Sequence, residues 1–328
     1  MVNVSLCAPP EVLLLLPSHS DLRELRATFI VNCVFNNFLT YTAILLNIVT
    51  MYAMQKTASL PKTLKTLLFS IAISDVGIGL LAQPVYSSLL VKWLQLNHPS
   101  CNNSRVFYIS ANLFLASSFL SVLAVSVDRF LAVHLHLRYQ ELVTHRRVVI
   151  VVISIWVLSA FVSFTMFWEL HGTRDYINLV ILAFGFIISF AVYIKMYLTV
   201  RRHKNQLQSL LAVDEAQIGI MKNYVAVVKT TVGVFYVYLV LLASYLPHFI
   251  CMAFVGICRD SSIAKKQLFL FSLTLMFLNS SLNPVIYCWK MRHIRHAIMD
   301  ILRNMPRMRN YSSRVIYDRS LSVVRLGN

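Results

Sequence analysis

Asp75 stands in LFSIAISDVGIGLLAQPVY and is the only carboxylate near the middle of any long apolar run of this chain. Inside hydrocarbon an ionised side chain costs about 2.5–3.5 kcal/mol by insertion scales, so a carboxylate there needs a partner or a task. One segment, FLNSSLNPVIYCW, concentrates candidate partners. Asn279, Asn283 and Tyr287 recur every four residues and therefore share one helix face. Pro284 lacks a backbone N–H and crowds the carbonyl of Ser280, which loses its helical partner and forces a kink or a local unwinding. Ser118 and Asn47, from two further apolar runs, complete the set. A carboxylate with amide oxygens and hydroxyls around it suits a small hydrated cation; the plainer alternative is that Asp75 only ties neighbouring helices together. A second pair, Asp128 and Arg129, ends the run SVLAVSVDRFLAVHLHLRY, where an isolated arginine would simply snorkel toward water.

Positioning these groups requires membrane-spanning helices. The chain is 58% hydrophobic and only 13% charged over 328 residues, a balance outside that of soluble domains. Spanning about 30 Å of hydrocarbon takes roughly 20 helical residues, and seven windows qualify: 28–54, 62–91, 104–133, 147–168, 177–200, 224–256 and 266–289. The expected fold is an all-α membrane protein, a seven-transmembrane helix bundle. Asp75 lies 13 residues past residue 62 and Ser118 lies 14 past residue 104, so at 1.5 Å per residue both fall at mid-depth.

Orientation follows from charge. Of the 30 Lys and Arg residues, 22 fall after the odd-numbered spans or at their adjoining ends, and 8 fall in the N-terminal segment and the other loops; basic residues favour the cytoplasm, which puts the N-terminus outside. The net charge of +17 is then a cytoplasmic rim facing anionic membrane lipids and acidic partners, with no nucleic acid among the expected partners. Residues 10–17, PEVLLLLP, lack a basic leader, so the first span is expected to act as its own signal anchor. Two sequons, at Asn3 and Asn102, fall on the expected outer side as glycosylation sites. Of the six cysteines, Cys7, Cys101 and Cys258 face the oxidising side; one bridge among them leaves one thiol over, and the pair stays open.

Seven spans, Asp75 in the second, Asp128-Arg129-Phe130 closing the third, Trp156 in the fourth, Pro247 in the sixth and Asn283-Pro284-Val285-Ile286-Tyr287 in the seventh together resemble the class A, rhodopsin-like G protein-coupled receptors. The resemblance implies that Arg129, with Asp128 as intrahelical partner, restrains the resting state and meets a G protein on activation. It implies an allosteric sodium pocket of Asp75, Ser118, Asn279 and Asn283, no cofactor beyond that ion, and no enzymatic activity. Tyr193 and Tyr287 match the two tyrosines that reorganise toward the third span, while Tyr245 and Pro247 stand at the switch of the sixth. The implied partners are a heterotrimeric G protein, arrestin and a receptor kinase, at the plasma membrane. Residues 290–303, with Met291, Ile294, Ile298 and Ile301 at three- and four-residue steps, are expected to form an amphipathic eighth helix lying in the interface. The resulting domains are an extracellular N-terminus at 1–27, the bundle at 28–289, this helix, and a disordered tail with phosphorylation sites at 304–328.

The chain also departs from the family pattern. The loop WELHGTRDY is short and has no cysteine, Gly185 replaces a proline, Tyr245 replaces a tryptophan, and His136 replaces a proline. The first two are similar to the melanocortin, cannabinoid and lysophospholipid branch. The expected ligand-binding set is Gln83, Tyr86, Asn112, Leu115, His248, Phe249 and Leu273, beside Tyr245. It lacks the aspartate of amine receptors and the lysine of opsins, and its mostly apolar character fits an extracellular lipid or peptide. A secondary transporter with a midplane carboxylate is the rival class, but no second copy of the broken-helix segment exists. HExxH and paired mid-membrane aspartates are missing, as are filter-like segments, which disfavours an intramembrane enzyme or a channel.

Overall fold

A computed structural model describes residues 21–57, 60–95, 97, 100–135, 138–165, 171–209, 215–258, 262–291, 294–301 and 303. Seven of its helices are long and apolar enough to cross a membrane. They are α1 (Leu22–Lys56), α2 (Lys62–Leu94), α3 (Cys101–Leu135), α4 (His145–Phe164), α5 (His171–Ser209), α6 (Glu215–Cys258) and α7 (Ile263–Lys290). With the strand-free description of these residues, this is the predicted seven-helix bundle.

The helices overrun the apolar windows because hydropathy marks the hydrocarbon and not the end of hydrogen bonding. Thus α1 begins at Leu22 rather than 28, and α5 starts at His171, absorbing HGTRDY from the expected loop. At its far end α5 continues through RRHKNQLQS, rich in straight-chain helix formers. The fourth helix ends at Phe164, short of the expected 168. Its neighbour α2 is not uniform: residues Ile78–Ala82 form a π-turn immediately before Pro84, and widening the helix there relieves the clash a proline makes with the preceding turn.

α3 runs through the middle of the bundle, packed on α2, α4, α5 and α6, while α7 closes the ring against α6, α1 and α2. Large apolar side chains face outward, Phe38, Ile153 and Ile187 being 57–64% exposed, as expected where the outer solvent is lipid. Polar residues turn inward instead. Asn32, Asn36 and Asn47 of α1 are all buried, and they stitch it to its neighbours: Thr274 donates to the Asn32 amide oxygen at 2.6 Å, and the Asn36 amide donates to Ser87 at 2.8 Å. At the end of the bundle that holds residue 21, an ion pair between Asp21 and the buried Lys266 ties the start of α1 to the start of α7.

After α7, residues 294–301 are helical, with Ile294 fully buried, Ile298 packed on the core and Met299 half exposed. Cys101 is disulfide-bonded while Cys33, Cys251 and Cys288 are free; Cys7 and the side chain of Cys258 lie outside the described residues. Asn102 is exposed in the first turn of α3, and Asn3 and the tail at 304–328 lie outside the described residues.

Candidate functional site: a polar core and an arginine clasp

Pro284 sets the geometry of the first site. Ser280, four residues before it, would ordinarily give its carbonyl to the N–H that proline lacks. Asn47 of α1 supplies the missing donor: its amide nitrogen reaches the Ser280 carbonyl at 2.9 Å and the Ala43 carbonyl at 2.8 Å. One residue before Pro284, Asn283 donates to the Asp75 carboxylate at 2.9 Å. Asp75, Ser118, Asn279, Ser280 and Asn283 are each at most 1% exposed. α7 stays helical from Ile263 to Lys290 with Pro284 inside it, without the local unwinding the sequence allowed, and Asn283 joins the carboxylate of α2 to a buried cluster that includes Ser118 of α3.

Several oxygens of this cluster have no partner: one Asp75 oxygen, the Ser118 and Ser280 hydroxyls, and the amide oxygens of Asn47, Asn279 and Asn283. Buried acceptors without donors are costly, about 1–3 kcal/mol each. All are of the type that coordinates a hard monovalent cation, so the donor set fits a sodium ion.

The second site lies about three turns beyond Ser118 along α3. Arg129 and Asp128 form an ion pair, the guanidinium donating twice to one carboxylate oxygen, and the residues are 2% and 4% exposed. The other carboxylate oxygen accepts from the Tyr139 hydroxyl at 2.7 Å, and Thr63 of α2 touches that hydroxyl at 3.1 Å. Tyr139 opens a one-turn helix, Tyr139–Leu142, between α3 and α4. Burial, then the Asp128 charge, pushes its phenol up to about 12, so it remains a donor at neutral pH. Sequence reasoning passed over Tyr139; its signal was a lone aromatic in the basic stretch LRYQ, ten residues past Arg129.

Between the two sites lies an apolar layer of Leu68, Ile71, Val122, Val125, Val234 and Val237 with Tyr287. Leu68 and Ile71 come seven and four residues before Asp75, and Val122 and Val125 come seven and four before Arg129, which places the layer between the polar groups by register. The Tyr287 hydroxyl is buried in it without a partner, whereas the Tyr193 hydroxyl already pairs with Ser126 of α3 at 2.9 Å. The two tyrosines are therefore unequal in their environment.

On the other side of Asp75 the expected ligand-binding side chains gather between α2, α3, α6 and α7. Tyr86 stacks on Phe107 and sits edge-on to Phe277, at 5.4 and 5.6 Å between ring centroids. Tyr245, beside Pro247, donates to the Leu115 carbonyl at 3.2 Å, and His248 shares a hydrogen bond with Ser272 at 3.0 Å. Leu273 is buried and Phe249 packs at the margin of the core. Two expected members are committed elsewhere. Gln83 bonds Asn36 of α1 at 3.3 Å. Asn112 uses both ends of its amide, donating to Ser163 of α4 at 3.0 Å and accepting from Asn178 of α5 at 2.8 Å. Beneath Tyr245, Phe119 fills the room that Gly185 leaves: a Cβ on that glycine would sit 2.5 Å from the Phe119 ring. Phe119 lies 6.0 Å from Tyr245 and 5.4 Å from Phe186, so a large residue of α3 faces a small one of α5.

A family model described as 7 transmembrane receptor (rhodopsin family) matches residues 46–176. Similar proteins include the adenosine receptor A2a of Canis lupus familiaris, 25% identical over 80% of this chain and 69% of its own length. The melanocortin receptor 5 of Homo sapiens is 23% identical over 81% of this chain and 82% of its own. The histamine H2 receptor of Canis lupus familiaris is 26% identical over 74% and 70%. None of these is an enzyme, and they do not favour a transporter. The chain is thus similar to rhodopsin-family seven-transmembrane receptors over residues 46–176, and its described residues supply seven membrane-length helices, a carboxylate bonded to Asn283 of the seventh and an arginine paired at the end of the third.

Proposed function

We propose that this chain is a receptor that sits in the plasma membrane with its N-terminus outside and passes an extracellular signal to a heterotrimeric G protein. The carrying observation is Arg129, a cation held 2% exposed by Asp128 and, through Asp128, by Tyr139. A buried charge held by a few exchangeable contacts has two arrangements a few kcal/mol apart, and a ligand biases the one it binds better. In the alternative arrangement Arg129 meets the G protein, Tyr193 and Tyr287 move toward α3, and Tyr245 with Pro247 relays the change from the ligand side.

The ligand, in this reading, is a lipid or peptide held among Tyr86, Leu115, Tyr245, His248, Phe249 and Leu273, with Gln83 and Asn112 shaping the wall. Asp75, Ser118, Asn279 and Asn283 would hold a sodium ion that stabilises the resting arrangement by supplying positive charge to orphaned oxygens. Glycans on Asn3 and Asn102, an interfacial helix at 290–303, and a tail serving a receptor kinase and arrestin complete the assignment. The test is nucleotide exchange on purified G proteins while lipids and peptides are screened. Exchange that an active compound stimulates in wild type and loses in Arg129→Ala supports the reading; compound-driven uptake into proteoliposomes without any G protein overturns it. For the ion, millimolar sodium should shift activator affinity in wild type and not in Asp75→Asn, and an equal shift in both refutes the pocket.

A further inference from the structure

Between residues 216 and 258 α6 carries no Asp or Glu, so that stretch offers no carboxylate to the Arg129 guanidinium. Yet α6 contains Pro247 within a 44-residue helix, and a proline there makes a hinge about which the long arm from Glu215 can swing. Something else must hold the arm in the closed arrangement.

α7 supplies the contact. Gly233 of α6 lies so near the end of α7 that a Cβ on it would meet the Lys290 Cβ at 3.2 Å and Met291 at 3.6 Å. The missing side chain lets the two helices close. Three residues further on α6, Tyr236 faces Trp289 at 5.4 Å between ring centroids. The Lys290 ammonium sits over both rings, 3.9 Å from the centre of Tyr236 and 3.5 Å from that of Trp289. A cation against two aromatic faces is attracted by both ring quadrupoles, more strongly as water is excluded. In this contact the cation belongs to one helix and one of its rings to the other.

We infer that Lys290, seated between Trp289 and Tyr236 across the Gly233 contact, is the positioning residue that keeps the inner arm of α6 against α7 and so sets the receptor's basal activity. Swinging α6 about Pro247 separates Tyr236 from Lys290 and leaves the ammonium with one ring in place of two. The clamp replaces an electrostatic tie to Arg129 with an aromatic one to α7. Its basal-activity consequence rests on the proposed G protein coupling; the clamp itself does not.

The test measures both. Spin labels at Val232→Cys on α6 and Arg146→Cys on α4, both exposed positions, report the distance of the α6 arm in lipid nanodiscs without any G protein, on a background with Cys33, Cys251, Cys288 and the thiol left over among Cys7, Cys101 and Cys258 replaced. Lys290→Met keeps the stem and removes the cation; it should raise the long-distance population roughly 2- to 30-fold, the range of a lost cation–π contact. Lys290→Arg should restore the wild-type distribution, and Tyr236→Leu should match Lys290→Met with no further change in the double variant. Basal nucleotide exchange should follow the same order. An unchanged distance distribution in Lys290→Met, or an Arg variant as open as the Met variant, overturns the clamp. A shifted distance with no exchange on any G protein upholds the clamp and overturns the coupling reading.

Discussion

Replacing Asn47 by leucine, close in volume but without the amide, deletes the donor that reaches Ser280 at 2.9 Å. The Ser280 carbonyl would then have neither Asn47 nor the N–H that Pro284 lacks. An acceptor buried without a partner costs about 1–3 kcal/mol, whereas the Ala43 carbonyl, the other acceptor of that amide, keeps its own helical bond and adds little. We therefore expect Asn47→Leu to destabilise by about 1–3 kcal/mol. Restoring the backbone donor should relieve most of this: in a Pro284→Ala background residue 284 has an N–H, and the cost of Asn47→Leu should fall below about 1 kcal/mol. Denaturation of the four proteins of the cycle in one detergent, followed by tryptophan fluorescence, reads the difference as a coupling energy, which is the quantity such a cycle isolates. If Asn47→Leu costs the same with and without Pro284, the amide is not serving the orphaned carbonyl, and Pro284 does not set the geometry of the cluster.

Removing the phenol at the arginine clasp, Tyr139→Phe, deletes a 2.7 Å bond to a paired carboxylate, worth about 1.5–3 kcal/mol for a charged acceptor; basal nucleotide exchange should rise about tenfold or more, and an unchanged rate would exclude Tyr139 from the restraint. The same phenol gives a pH signature. Because burial and Asp128 hold its ionisation up at about 12, above the ordinary 10, its contribution is complete below pH 10 and is lost as pH rises from 10 through 12. The stability difference between wild type and Tyr139→Phe should thus be flat from pH 6 to 9 and shrink above 10. At the α3–α5 contact, Gly185→Ala should cost about 1–3 kcal/mol by overpacking against Phe119, and Phe119→Leu should recover part of it in the double variant; additive losses in thermal melts would refute the complementarity.

The number of helices was legible in composition, since only backbone satisfied within its own segment survives in hydrocarbon and each crossing needs its own apolar run. Helix ends were not legible, because α1 and α5 continue past the apolar windows wherever polar residues still favour helix. Asp75, the Asn279–Asn283–Tyr287 face, Pro284 and the Asp128–Arg129 pair were visible because each contradicts its greasy surroundings. The consequence of Pro284 for Ser280 could be worked out from bond geometry alone, and Asn47 stood out only as a polar residue in an apolar run. Which way each amide points required neighbours. Asn112 looked like a ligand contact by position, yet Ser163 and Asn178, on two other helices, occupy both ends of it. Tyr139 gave almost no signal, being an ordinary loop tyrosine until the fold set it against Asp128.

Along the chain, the amino acids determined what had to be buried, how many times the backbone crosses, and where a helix must lose a hydrogen bond, because these depend on local chemistry against an oily solvent. Tertiary structure alone decided the partners: Asn47 for the Ser280 carbonyl, Phe119 for the space at Gly185, Lys290 for the ring of Tyr236. Each pairs residues on different helices, and helix rotation and approach are set by packing of the whole bundle, which no single segment encodes.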